Sequence, residues 1–199
     1  MLAPRRMVAP APRTSPVDEL DDVTLRRAQR GEGAAFRVLV ERYERRAQRI
    51  LWRMLDPVGR AAQVDDLLQE TFLRVYRALP RFAPGEARLS TWILTIATRL
   101  ALTELRRKPG TSLDTGGVVE AEAPERSDAS VDRQEAVDTL RAALAQLDDD
   151  QRAVLLLREV DGLEYEEIAR VLEVNLGTVR SRLSRARARV RAAFGEDER

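Results

Sequence analysis

Apolar residues return every three or four positions along most of this chain, and that period confines it to helices. Phe36, Leu39, Val40 and Tyr43, then Ala47, Ile50, Leu51 and Met54, keep the spacing until Pro57 interrupts it. Residues so spaced gather on one side only of a backbone that turns about 100° per residue. Leu25 and Ala28 predict a short helix before them, stopped by Gly31. A third helix carries Val64, Leu67, Leu68, Phe72, Val75, Tyr76 and Leu79 and ends at Pro80. After a loop with Pro84 and Gly85, a fourth begins near Ser90, a suitable N-cap. It carries Trp92, Ile93, Ile96, Ala97, Leu100 and Leu105, and Pro109 ends it. No useful stretch alternates as a strand must, and no internal repeat is present.

Residues 109–134 break the pattern. They hold three glycines, two prolines and the acids Asp114, Glu120, Glu122, Glu125, Asp128 and Asp132 against two arginines. Such a composition buries too little apolar surface to offset the entropy of ordering it, so a linker is expected. The helical pattern resumes near Glu135 and runs to Phe194, with Asp148 and Gln151 matching a capping box at a helix start. Residues 1–16, with four prolines and three arginines, and 196–199 are expected to be tails. The chain thus reads as all-α: two small helical domains, 17–108 and 135–195, joined by a flexible acidic linker. Its 199 residues suit two modest cores.

The chain has no cysteine and no histidine, so disulfides, zinc–thiolate sites, Cys nucleophiles and His bases are excluded. No paired-carboxylate or Gly-rich phosphate motif appears, and neither an enzyme nor a metal or other cofactor is expected. No apolar run reaches the roughly 18 residues of a membrane span, and no segment has a signal-peptide layout. A soluble, cytoplasmic protein is expected. Of 34 basic residues, 33 are arginine, a bias that coding composition alone can produce.

The strongest local signal lies in 174–195, which holds six arginines and no acid. Leu176, Val179, Leu183, Ala186 and Val190 form a narrow apolar stripe, and Ser181, Ser184 and Ala188 lie opposite it, flanked by the arginines. A small-residue face can approach a groove floor while guanidinium groups reach phosphates and base edges. The preceding amphipathic stretch, with Ile168, Ala169 and Leu172 inward, and the short spacer Glu173, Val174, Asn175 complete a helix-turn-helix. Duplex DNA is therefore the expected partner. Two rivals stay open: a self-sufficient helix-turn-helix regulator, and a helical adaptor whose arginine helix binds an acidic protein.

The segment GLEYEEIARVLEVNLGTVRSRLSRARARVRAAF (162–194) resembles region four of extracytoplasmic-function (ECF) sigma factors, of the sigma-70 family. DDLLQETFLRVYRALPRF (65–82) followed by LSTWILTIATRLALTELRRK (89–108) is similar to region two of that family. The resemblance implies an alternative sigma factor that binds core RNA polymerase and directs promoter-specific initiation under the control of an anti-sigma factor. It implies that the helix bearing Asp65, Asp66, Gln69 and Glu70 docks on the clamp helices of the largest polymerase subunit, with a second contact to the flap of the second largest. It places Phe82, Arg88, Ser90, Trp92, Arg99, Thr103, Arg106 and Arg107 at the minus-ten element. Arg158, Thr178, Arg180, Ser181, Arg182, Ser184 and Arg185 fall at the minus-thirty-five element. The family commonly has Asn where this chain has Arg99, Asp where it has Thr103, and a basic residue where it has Glu104. These departures leave the minus-ten preference open.

Overall fold

The computed structural model describes residues 19–85, 87–107 and 128–195, with side chains from 134 onward in the last stretch. Eight α-helices follow in order: α1 Asp22–Gln29, α2 Gly33–Leu55, α3 Val64–Ala78, α4 Leu89–Arg106, α5 Asp128–Ala145, α6 Asp149–Glu159, α7 Tyr165–Leu172 and α8 Leu176–Ala193. Among the described residues the only strand-like pairing is an isolated bridge between Pro84 and Ala87. No described helix is long and apolar enough to cross a membrane.

The breaks fall where the sequence places them. Asp21 caps α1 by accepting from the Thr24 N–H at 2.9 Å, and Gly31 turns the chain at φ 84°. Gly59, at φ 74°, ends the short 3-10 turn at 56–58 that contains Pro57. Two expectations are corrected. α4 starts at Leu89 with Arg88 as its N-cap residue, and Ser90 lies inside the helix. Its hydroxyl donates to Glu19, which also accepts from the Tyr43 hydroxyl at 3.2 Å. Helix α5 begins at Asp128, seven residues before the apolar pattern resumes at Glu135. The acidic stretch from 128 carries no apolar stripe, so periodicity is blind to it.

Helices α1–α4 enclose one core, in which Leu39, Ala47, Leu51, Leu55, Val75, Leu79 and Ala97 are fully buried. Each large side chain removed from water stabilises by about 1.5–3 kcal/mol. The Tyr43 hydroxyl accepts from the Leu20 N–H at 2.9 Å and so fastens the entering chain to this core. Burial, and then the Glu19 charge, push its phenol well above the usual value. Helices α5–α8 enclose a second core built on Ala153, Val154, Leu157, Ile168, Val179 and Leu183. Asp148 caps α6 through the Gln151 N–H at 2.7 Å, which is half of the expected capping box. The buried Gln151 Oε1 has no hydrogen-bond partner.

The two cores meet. α4 packs on α7, and α2 packs on α6. Arg152 of α6, 1% exposed, donates to the Met54 carbonyl of α2 at 3.0 Å. It also donates to the Leu144 and Leu147 carbonyls, each at 2.9 Å, and to Asp149 at 3.1 Å. Arg46 of α2 donates through Nε to Asp161 Oδ1 at 2.9 Å and through a terminal nitrogen to the Asp161 carbonyl at 3.0 Å.

Burial raises the pKa of Asp161 above its ordinary 3.8, against the pull of Arg46, Arg49 and Arg53. The folded chain therefore holds this proton at pH values where the unfolded chain has lost it. The contribution of this carboxyl to stability is greatest near and below pH 3.8 and falls as pH rises through the raised value. Asp161→Asn keeps an acceptor for Arg46 and removes the titration. Its melting temperature is expected to gain on the parent's as pH is raised from about 4 to 7. A difference independent of pH in thermal melts would contradict this.

Candidate functional site

The turn from α7 to α8 explains the exposed arginine surface. Glu173 takes the left-handed conformation at φ 55°, ending α7 within one residue. Asn175 then caps α8 by accepting from the Thr178 N–H at 2.8 Å. Val179, Leu183 and Ala186 are buried, and Leu176 and Val190 are half-buried, so the predicted stripe faces the core. The opposite face carries exposed Arg180, Ser184, Arg185, Ala188, Arg189 and Arg191. Ser181 is half-buried and donates to the Thr178 carbonyl at 3.1 Å, and Thr178 itself sits in the first turn, bonded to Asn175.

Two arginines of α8 are tied back to α6. Arg182 meets Asp150 at 2.7 Å, and Arg187 donates to Glu159 at 2.8 Å. Arg158 is used locally: it donates to the Leu163 carbonyl at 2.7 Å and pairs with Glu164 at 3.1 Å. Its guanidinium lies 5.1 Å from the centre of the Tyr165 ring.

On α4 and the loop before it the predicted residues separate. Phe82 and Trp92 come together, ring centres 5.0 Å apart and tilted 38°, both half-buried against the core. Arg88 is exposed, whereas Ser90 is buried. Arg99 donates to the Val171 and Arg170 carbonyls at 2.9 and 3.2 Å and pairs with Glu173 at 2.9 Å. Thr103 is exposed and donates to the Arg99 carbonyl at 2.7 Å. Arg106 pairs with Asp150 at 3.3 Å, and Arg107 with Glu104 at 3.3 Å. Glu104 also lies 3.8 Å from Arg60, so this carboxylate sits in a small cationic cluster.

On α3, Asp65, Asp66 and Gln69 are exposed, and Glu70, half-buried, pairs with Arg74 at 2.6 Å. Leu73 and Tyr76, both large and exposed, share the helix, and Tyr76 meets Phe36 edge-on at 5.0 Å. Acids beside uncovered apolar groups form a surface suited to a protein partner rather than to nucleic acid. A separate open cavity of about 770 Å³ runs between α5, α6 and α8, lined by Leu140, Leu155, Tyr165 and Leu183 with Arg53 and Arg187 at its edge.

Sequence reasoning did not find Arg46, Asp150, Arg152 or Asp161. Their contacts include partners up to 115 positions away, which periodicity does not mark. The run Asp148, Asp149, Asp150 was the one available hint, since a helix needs only one N-cap.

Residues 39–109 match the family model described as Sigma-70 region 2, and residues 138–190 match that of Sigma-70, region 4. The ECF RNA polymerase sigma-E factor of Escherichia coli K12 is 36% identical over 180 residues, covering 84% of this chain and 90% of that protein. The RNA polymerase sigma-H factor of Pseudomonas aeruginosa is 35% identical over 189 residues, covering 88% and 94%. Among solved structures, CnrH in complex with the cytosolic domain of CnrY shares the fold at TM-score 0.61 and 23% identity, covering 88% of this chain and 97% of that one. The sigma factor RpoE in complex with the anti-sigma factor NepR, from Bartonella quintana, does so at TM-score 0.62 and 20% identity, covering 82% and 98%.

Proposed function

Because the chain belongs to the extracytoplasmic-function group of the sigma-70 family, we propose that it acts in the cytoplasm as an alternative sigma factor, bringing core RNA polymerase to a set of promoters without itself catalysing nucleotidyl transfer. One observation carries most of this reading. A module with an acidic and apolar helix face precedes a helix-turn-helix whose second helix shows arginines and small residues on its outer side.

In this reading the Asp65, Asp66, Gln69 and Glu70 face docks on the polymerase clamp helices, joined by Leu73. The apolar cavity beside α8 supports a second contact, with the polymerase flap. Arg180, Arg182 and Arg185 read the minus-thirty-five duplex, with Ser184 allowing close approach. Arg88, at the start of α4, and the Phe82–Trp92 pair beside it suit capture of an unstacked base from the opened minus-ten strand. An anti-sigma factor that covers these faces is the expected regulator.

The test is transcription by purified core polymerase on sheared genomic DNA, with and without this protein. New transcripts whose starts share a spaced two-part motif upstream are expected. The double variant Asp66→Arg, Glu70→Arg should reduce them by about tenfold or more, since like charges across an interface oppose docking. Unchanged transcripts with folded protein and active core would instead favour the self-sufficient regulator, which binds its duplex without polymerase.

A further inference from the structure

The open cavity between α5, α6 and α8 combines an aliphatic lining with a group of guanidinium groups. Leu144, Leu155, Leu156 and Leu183 line it and are buried, and Val190 beside them is half-buried. Leu140 also lines it but is 39% exposed, and Val137, three residues earlier on α5, is exposed too. The spacing of Val137, Leu140 and Leu144 puts them on one face of α5. This apolar line therefore runs about 10 Å, at roughly 1.5 Å per residue, from solvent into the cavity. Among the described lining residues Tyr165 is the only aromatic one, and the Arg158 guanidinium already lies over its ring, 5.1 Å from the centre.

Arg53, Arg180, Arg187 and Arg191 line the same cavity, against a single carboxylate, Glu159. Arg187 takes that carboxylate, donating to it at 2.8 Å. Among the described residues, the side chains of Arg53, Arg180 and Arg191 have no hydrogen bond and no ion pair. Arg53 is moreover half-buried. Burial, and then the Arg49 charge, lower its pKa below the usual arginine value, with Asp161 opposing. A guanidinium drawn partly out of water without a partner is costly, and an anion seated against it removes that cost.

We propose that this cavity binds a free long-chain carboxylate, its alkyl chain along Leu140, Leu144 and Leu155 and its head against Arg53 and Arg191. The volume, about 770 Å³, falls within the roughly 300–1,000 Å³ of mostly apolar small-ligand sites that hold a few polar groups. Two features select the class. The lining is aliphatic apart from one tyrosine whose face is taken, so a flat ring system such as a nucleobase finds nothing to stack on. A neutral apolar ligand would leave Arg53 unpaired, whereas a carboxylate offers the planar pair of oxygens that a guanidinium meets best. The polymerase flap, assigned to the same cavity, would compete with this ligand. That bearing rests on the sigma-factor reading; the site itself does not.

The test is calorimetric titration of the full-length protein with laurate, decanoate and 1-decanol, each below its micelle or solubility limit. At about pH 7.5 both acids are ionised. Laurate is expected to saturate at a single site per chain. Decanoate, with a shorter chain to bury, should bind about fivefold or more weaker. The neutral 1-decanol should bind about tenfold or more weaker than decanoate, having no charge to set against the guanidinium. Arg53→Gln should weaken decanoate by about tenfold and leave 1-decanol unmoved, and Leu140→Glu should weaken all three ligands. If circular dichroism shows Arg53→Gln unfolded, Arg191→Gln, at an exposed position, is read with the same pair of ligands. No saturable laurate binding, 1-decanol as tight as decanoate, or an Arg53→Gln variant that treats the two alike would each overturn the site. So would a dimer in sedimentation that laurate does not dissociate, since a second copy would then fill the cavity. None of these measurements uses polymerase, so failure of the transcription test and failure of the ligand site are told apart.

Discussion

Replacing Arg152 with alanine is expected to destabilise the chain by about 3–5 kcal/mol, the range for removing one side of a buried charge network. The guanidinium is fully enclosed yet donates to three backbone carbonyls, of Met54, Leu144 and Leu147, and to Asp149. Burial lowers its pKa below the usual arginine value, with Asp149 pulling the other way, and an arginine remains charged through any such shift at neutral pH. Its loss removes the side-chain donor from those carbonyls inside the packed joint between α2, α5 and α6, and leaves a cavity as large as the side chain. Arg152→Lys should recover only part of the loss, because an ammonium on a flexible stem cannot meet acceptors on several sides as a planar fork does. Urea unfolding followed by far-ultraviolet circular dichroism reads the difference directly. A change below about 1 kcal/mol would mean that water replaces the guanidinium at these carbonyls.

The second large effect is expected at Arg182. If it reads a base through two parallel hydrogen bonds, Arg182→Ala should lower the affinity of the polymerase-bound protein for its minus-thirty-five duplex by about 1–3 kcal/mol, roughly 5- to 150-fold. The loss should fall at one base-pair position, with discrimination there relaxed. Weakening spread evenly over all duplex sequences, with the salt slope reduced by about one, would make it a phosphate contact. The exposed Arg185, which has no pairing to α6 of the kind that holds Arg182, provides the comparison. In the free chain Arg182 is paired with Asp150, so the deficit is read on the polymerase-bound protein rather than on the free chain.

Much of the fold was legible because its helices are amphipathic and their ends are marked. Pro57 and Gly31 stop helices where the period stops, and Asp148 and Asn175 cap α6 and α8 through the residues that follow them. The course of α8 and its apolar stripe were legible, since they are properties of one helix, whereas the ties of Arg182 and Arg187 to α6 were not. The start of α5 was not, because residues 128–134 carry no apolar stripe and read like the linker before them. Ser90 misled because an N-cap and a buried serine within the first turn look alike in sequence; only Glu19, 71 positions away, decides between them. The joint between the modules was wholly hidden. Arginine is read as a surface residue by default, and neither Arg46 nor Arg152 has a local pattern that betrays its distant partners.

Arginine so placed also bears on how this chain can change. Guanidinium groups close the carboxyl ends of four helices: Arg152 at α2 and α5, Arg60 on the Glu104 and Arg107 carbonyls of α4, Arg99 at α7, and Arg189 on the Gln146 carbonyl just past α5. Exchanging arginine for lysine leaves net charge, length and hydropathy almost untouched, and by those measures such drift is silent. Here it would trade a flat two-pronged donor for a single point at each of these helix ends. The near-absence of lysine, which coding bias alone could have produced, has become a condition of the architecture: a lineage drifting towards lysine codons would have to keep these few positions fixed while the rest of its surface changed.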